Sequence, residues 1–163
     1  MHWGQEPESE RAPGDRLTEL AAFVRAQLGR GPALLWTERD SADGSGPPSD
    51  EEADTLAAAL APLLGPVLGR APQPVPTAVA GRSADPGQDT DSDVLLLQVR
   101  AAGDVALLPP AAAGRRPATR LRLRAGQSLL LPHGWGYRLD DRPELRPLVL
   151  RLSAADRPAP RSR

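Results

Sequence analysis

A chain of 163 residues with 40% hydrophobic side chains has material for one domain around one modest core, and its net charge is only −1. With no cysteine, a disulfide framework and a thiolate metal site are excluded. No apolar run reaches 18 residues and the acidic opening MHWGQEPESE is not a signal peptide, so the expectation is a soluble, cytoplasmic protein with no membrane partner.

The 19 prolines and 15 glycines against five aromatic residues point to a small core with long irregular edges. Every one of the 20 basic residues is Arg, and Lys, Asn and Ile are absent, which reads as GC-rich codon usage and hence a bacterial source. Charge is unevenly placed: residues 1–80 hold 6 Arg against 12 Asp and Glu, and residues 81–163 hold 14 against 9. Either the two halves attract each other within one fold, or the basic half binds an acidic partner.

In chain order, residues 1–14 lack an apolar period and read as a disordered leader. Residues 15–70 read as a helical portion. Asp15 can cap a first helix, along which Leu17, Leu20, Val24 and Leu28 form one stripe ending at Gly29, with Phe23 beside it in the core. Ala33 to Trp36 suits an edge strand with Trp36 as a lid, and Arg39 to Pro48 is a loop. Ser49 and Glu52 form a capping box for a second helix, whose apolar side is Leu56, Leu60, Leu63 and Leu64 and which Pro62 should end or kink near Ala61. Gly65 to Pro76 reads as an extended connector.

Residues 71–153 read as a β domain and residues 154–163 as a disordered tail. After a possible first strand over Val75 to Ala80, the expected strands are Val94–Val99, Val105–Leu108, Arg120–Arg124, Ser128–Leu131 and Leu145–Leu152. Val94 to Leu97 is unbroken and apolar, as in a strand buried on both faces. Arg120 to Arg124 alternates Arg with Leu, as in a strand wet on one face, where the arginines either track a phosphate backbone or blunt a sheet edge. The class is mainly β with N-terminal helices, an α+β arrangement closing as a sandwich or small barrel.

The stretch Gly126 to Tyr137, GQSLLLPHGWGY, carries the most specific spacing: a buried strand, then a tight turn at Pro132, Gly134 and Trp135 that re-aims the chain. It resembles the second motif of the cupin superfamily, most closely the JmjC-type oxygenase branch, whose strand runs roughly Gly-Asp-x-Leu-Tyr-x-Pro-x-Gly-Trp-x-His. Asp93-Val94-Leu95-Leu96-Leu97-Gln98 is similar to the strand that follows the His-x-Asp pair of that branch. The resemblance implies a small cupin/JmjC-like double-stranded β-helix barrel. It also sets Gln88, Thr90 and Tyr137 at the three positions where the family holds iron, and places Ala101 to Val105 where the family has a Gly-Arg-Lys-x-Trp stretch that helps hold 2-oxoglutarate. None of the three residues is a facial-triad ligand, which needs two imidazoles and a carboxylate.

His133, Trp135 and Gln98 are candidate pocket-lining residues, and no catalytic or metal-binding set is expected. Asp89, Asp91 and Asp93 alternate as in a calcium loop, but Val94 and Arg100 stand where that loop needs Gly and Glu. Tyr137 reads either as a general acid or as a buried ring with its hydroxyl tied to backbone. The expected function is a degenerate, pseudoenzyme-like cupin domain without cofactor, acting as a binding or structural module with a protein partner or a second copy of itself. Two alternatives stand beside it: an iron(II)- and 2-oxoglutarate-dependent hydroxylase with unusual ligands, and an Arg-rich RNA- or ribosome-associated protein.

Overall fold

A helix, a short strand, a second helix and then eight further strands follow one another in the computed structural model, which describes residues 13–36, 49–76, 83–84, 92–110, 117–140 and 146–153. The leader and tail of the sequence reading, residues 1–12 and 154–163, fall outside the described residues, as do Gln88 and Thr90. No described helix is long and apolar enough to cross a membrane.

Helix α1 (Pro13–Gln27) begins two residues before Asp15, and Gly29 at φ 76° ends it by taking the left-handed conformation a side chain disfavours. Helix α2 (Asp50–Leu68) starts as the capping box predicts: the Ser49 side chain accepts from the Glu52 N–H at 3.2 Å. It does not end at Pro62. Both Pro62 and Pro66 lie inside the helix on its exposed side, where each removes one backbone bond. The opposite side carries Ala53, Ala57, Ala61, Leu64 and Leu68, all buried, and that packing holds the helix through both prolines until Gly69.

The buried stripe of α2 is therefore only partly the one expected: Leu64 is buried and Leu60 packs against the same core, but alanines make up the rest of the stripe. Small alanines let the helix lie close to its neighbours, whereas Leu63 is 55% exposed and Leu56 also faces out. Trp36, expected as a lid on the core, is 64% exposed, because the preceding strand β1 (Ala33–Leu35) lies at a sheet edge and the chain leaves the sheet there.

The remaining strands are β2 (Pro72–Val75), β3 (Ser83–Ala84), β4 (Ser92–Leu97), β5 (Ala102–Leu108), β6 (Thr119–Arg124), β7 (Ser128–Leu131), β8 (Gly136–Leu139) and β9 (Leu148–Ser153). They form a five-stranded sheet in the order β1-β7-β4-β9-β2 and a four-stranded sheet in the order β3-β8-β5-β6, with every pair antiparallel. The stretch read as an extended connector holds the end of α2 and the whole of β2. Its Pro72 and Pro74 are tolerated because β2 is an edge.

Two cores result. Leu95 and Leu97 of β4, Leu130 of β7 and Leu148, Leu150 and Leu152 of β9 pack against the helices. On the other face of the same strands, Val94, Leu96, Leu129, Leu131 and Val149 meet Val105, Leu107, Leu123, Tyr137 and Leu139 of the four-stranded sheet. The acidic start of α2 is tied to the basic half of the chain: Arg100 pairs with Glu52 at 3.0 Å, and Arg146 with Asp50. These pairs run in the sense that attraction between the two halves requires.

Candidate functional site

The stretch around Gly126 folds as its spacing predicts. Gly126 takes φ 81° after β6, and the Gln127 side chain caps the turn by accepting from the Arg124 N–H at 2.7 Å. Strand β7 then runs entirely buried through Leu131. The Trp135 N–H donates to the Pro132 carbonyl at 3.1 Å with Gly134 at φ 82°, the positive angle that a type II turn needs at its third residue. This four-residue turn carries the chain from the five-stranded sheet into β8 of the other, so it re-aims the backbone across the sandwich.

Tyr137 is 2% exposed on β8 and belongs to the core between the sheets, together with Val94, Leu107, Leu131 and Leu139. Its cross-strand neighbours are Leu107 on β5 and Ala84 on β3. Alternation along β9 places Arg151 on the same inward side as Val149, opposite Val94 and Gln73, toward the end of the sandwich where Leu131 hands over to the turn. Sequence reading missed Arg151; an Arg inside the otherwise apolar run Leu148 to Leu152 is the signal that marks it.

The other candidates stand in different surroundings. Trp135 is half-buried against the edge of the inter-sheet core, not enclosed in it. Gln98, 2% exposed, sits just past β4 and is held by backbone: its N–H donates to Gln127 O at 3.0 Å and its carbonyl accepts from Gly126 N at 2.7 Å. Its amide donates to the Arg100 carbonyl, while Oε1 has no hydrogen-bond partner among the described residues. Gln98 thus pins the β4 end to the β6–β7 turn.

His133 lies at the rim, where its backbone N–H donates to Asp93 Oδ1 at 2.8 Å and its ring Nδ1 stands 3.8 Å from the same oxygen. The other carboxylate oxygen lies 3.5 Å from Arg70 just beyond α2. One nearly buried carboxylate therefore joins the end of α2, the start of β4 and the β7–β8 turn. Asp89 and Asp91, with which Asp93 alternates in a pattern lacking the Gly and Glu of a calcium loop, lie outside the described residues. In the fold Asp93 faces an arginine and a histidine, and a cation beside Arg70 would be repelled. No group of three or more His, Asp or Glu side chains able to hold a metal occurs among the described residues.

Iron does not fit the residues at the three positions that the cupin resemblance assigns to it: a glutamine, a threonine and a tyrosine offer neither imidazole nor carboxylate, and the tyrosine is buried in the core between the sheets. No protein-family profile matches the chain, and no curated protein is similar to it in sequence.

Proposed function

We propose that the chain is a cupin-like domain of the JmjC-type branch, a small double-stranded β-helix barrel that has lost oxygenase chemistry and works as a binding or structural module. The strand order supports this fold reading. The pairs β5–β6, β4–β7, β3–β8 and β2–β9 are nested about one central hairpin and fall alternately in the two sheets, which is how a double-sheet jelly roll is wound. Ala101 supports the alignment. It stands at φ 59°, the left-handed region, where the family pattern has a glycine free to adopt it.

The observation that carries the loss of chemistry is Tyr137, buried in the core between the sheets at the position where the resemblance puts the family's last iron-binding histidine. Metal analysis tests the reading: the purified protein should hold no stoichiometric iron, and micromolar iron(II), manganese or cobalt should leave its melting temperature unmoved. A variant carrying Gln88→His, Thr90→Asp and Tyr137→His should gain a metal-dependent rise in melting temperature by mass action. Stabilisation of the natural protein by metal would overturn the reading in favour of an iron- and 2-oxoglutarate-dependent hydroxylase. If neither protein responds, the placement of Gln88 and Thr90 is wrong.

A further inference from the structure

The outer face of the four-stranded sheet carries a charge pattern unrelated to the motif around Tyr137. Along β5, Asp104 and Ala106 alternate outward with the buried Val105 and Leu107. The register sets Ala106 opposite Arg138 on β8 and opposite Arg120 on β6, so one methyl group separates two exposed arginines. Strand spacing puts their backbones about 9.5 Å apart. The short alanine leaves a cleft of about 200 Å³ between them.

Two residues further along, about 6.7 Å by strand rise, Asp104 and Asp140 line the same cleft. Their backbones are tied, the Asp140 N–H donating to the Asp104 carbonyl at 3.0 Å. The side chains of Arg120, Arg138 and Asp104 form no ion pair among the described residues, although opposite charges stand on neighbouring strands. Arg122 on β6 stands opposite Asp104 in the register but does not line the cleft, whose lining is thus basic at one end and acidic at the other.

We propose that this cleft binds a small zwitterion, its oxyanion held between Arg120 and Arg138 and its ammonium group against Asp104 and Asp140. The planar guanidinium fork suits an oxyanion, and one on each side of Ala106 can hold it from both strands. The register selects a ligand whose charges are about 6 to 7 Å apart. An RNA strand suits the cleft poorly, because its next phosphate would pass over the two carboxylates. The lining residues also include no aromatic ring on which a base could stack. The site lies outside the barrel, so it stands or falls independently of the metal question.

The test uses the full chain, followed by amide NMR shifts at low salt, with 6-aminohexanoate, hexanoate and oligouridylate as probes. 6-Aminohexanoate should saturate the shifts of Ala106, Arg120, Arg138 and Leu139 and bind about three-fold tighter than hexanoate, the effect of one exposed ion pair. R120Q and R138Q should each weaken both ligands about five-fold or more, as loss of a charge-assisted hydrogen bond does. D104N should abolish the preference for the amine, and R124Q should change nothing. All four side chains are exposed, so unchanged melting temperatures will separate binding from folding. Shifts that fail to saturate, binding indifferent to R120Q and R138Q, or oligouridylate saturating the same amides at lower concentration would each overturn the proposal.

Discussion

The two sheets of the sandwich are built from the same kind of strand and live in different surroundings. In the five-stranded sheet, β4 is buried at five of its six positions, because helices cover one face and the second sheet covers the other. In the four-stranded sheet, β6 shows mainly exposed positions, and only Leu121 and Leu123 turn inward. The first sheet has hardly a position to spare for chemistry. The second has a whole wet face, and the Arg120–Ala106–Arg138 row stands on it.

Core truncation separates the two most widely. Leu95→Ala, at a fully buried site packed against the helices, should lose roughly 3 to 5 kcal/mol. Leu121→Ala, half-buried on the edge strand, should lose about 1 kcal/mol or less, since much of the vacated space fills with water. Urea denaturation measures both; equal losses would mean that the outer sheet is as load-sharing as the inner one. Next in size is the joint at Asp93. Asp93→Ala should cost about 1 to 3 kcal/mol by leaving the His133 N–H and the Arg70 guanidinium without their acceptor. A loss no larger than that of Asp104→Ala would show that the rim joint is ornamental.

The smallest effect has the opposite sign. Ala101 links the end of the doubly buried β4 to the one-sided β5 at φ 59°, where an alanine is strained. Ala101→Gly should stabilise by roughly 0.5 kcal/mol, strain relief of about 1 to 2 kcal/mol being offset by the freer unfolded chain. Destabilisation would show that the Ala101 methyl group packs usefully despite the backbone angle.

What could be read from the sequence follows the same division. The stretch from Ser128 to Leu131 needs no partner to be understood: its three consecutive leucines ask for burial on both faces, and it became β7 with those bounds, just as the Arg-Leu alternation became a wet edge strand. Strand β8 was not legible, because Gly136 to Leu139 is short and begins inside a turn signal, and two-residue β3 has no pattern to show. Pro62 misled because a proline's cost is local, while the alanine face that outweighs it is recognised only against the sheet. The likeness to a cupin motif singled out Tyr137, but its burial between the sheets depends on strands distant in sequence. Asp93 was visible only as an acidic residue opening an aliphatic strand; its partners come from the end of α2 and from the β7–β8 turn. The cleft over Ala106 exists only in the register, which alternation within one strand cannot reveal.

The nested pairing has a kinetic consequence. The β5–β6 hairpin closes a short stretch of chain, whereas β2 and β9 join Pro72 to Leu152 across nearly the whole β half. Closing that outer pair is entropically unfavourable until the inner strands are in place. A substitution such as Val75→Ala, at the outer pair, should therefore accelerate unfolding and leave the folding rate almost unchanged, and stopped-flow chevrons will show on which limb it acts. The last strands to arrive are then also those whose contacts set the lifetime of the native state.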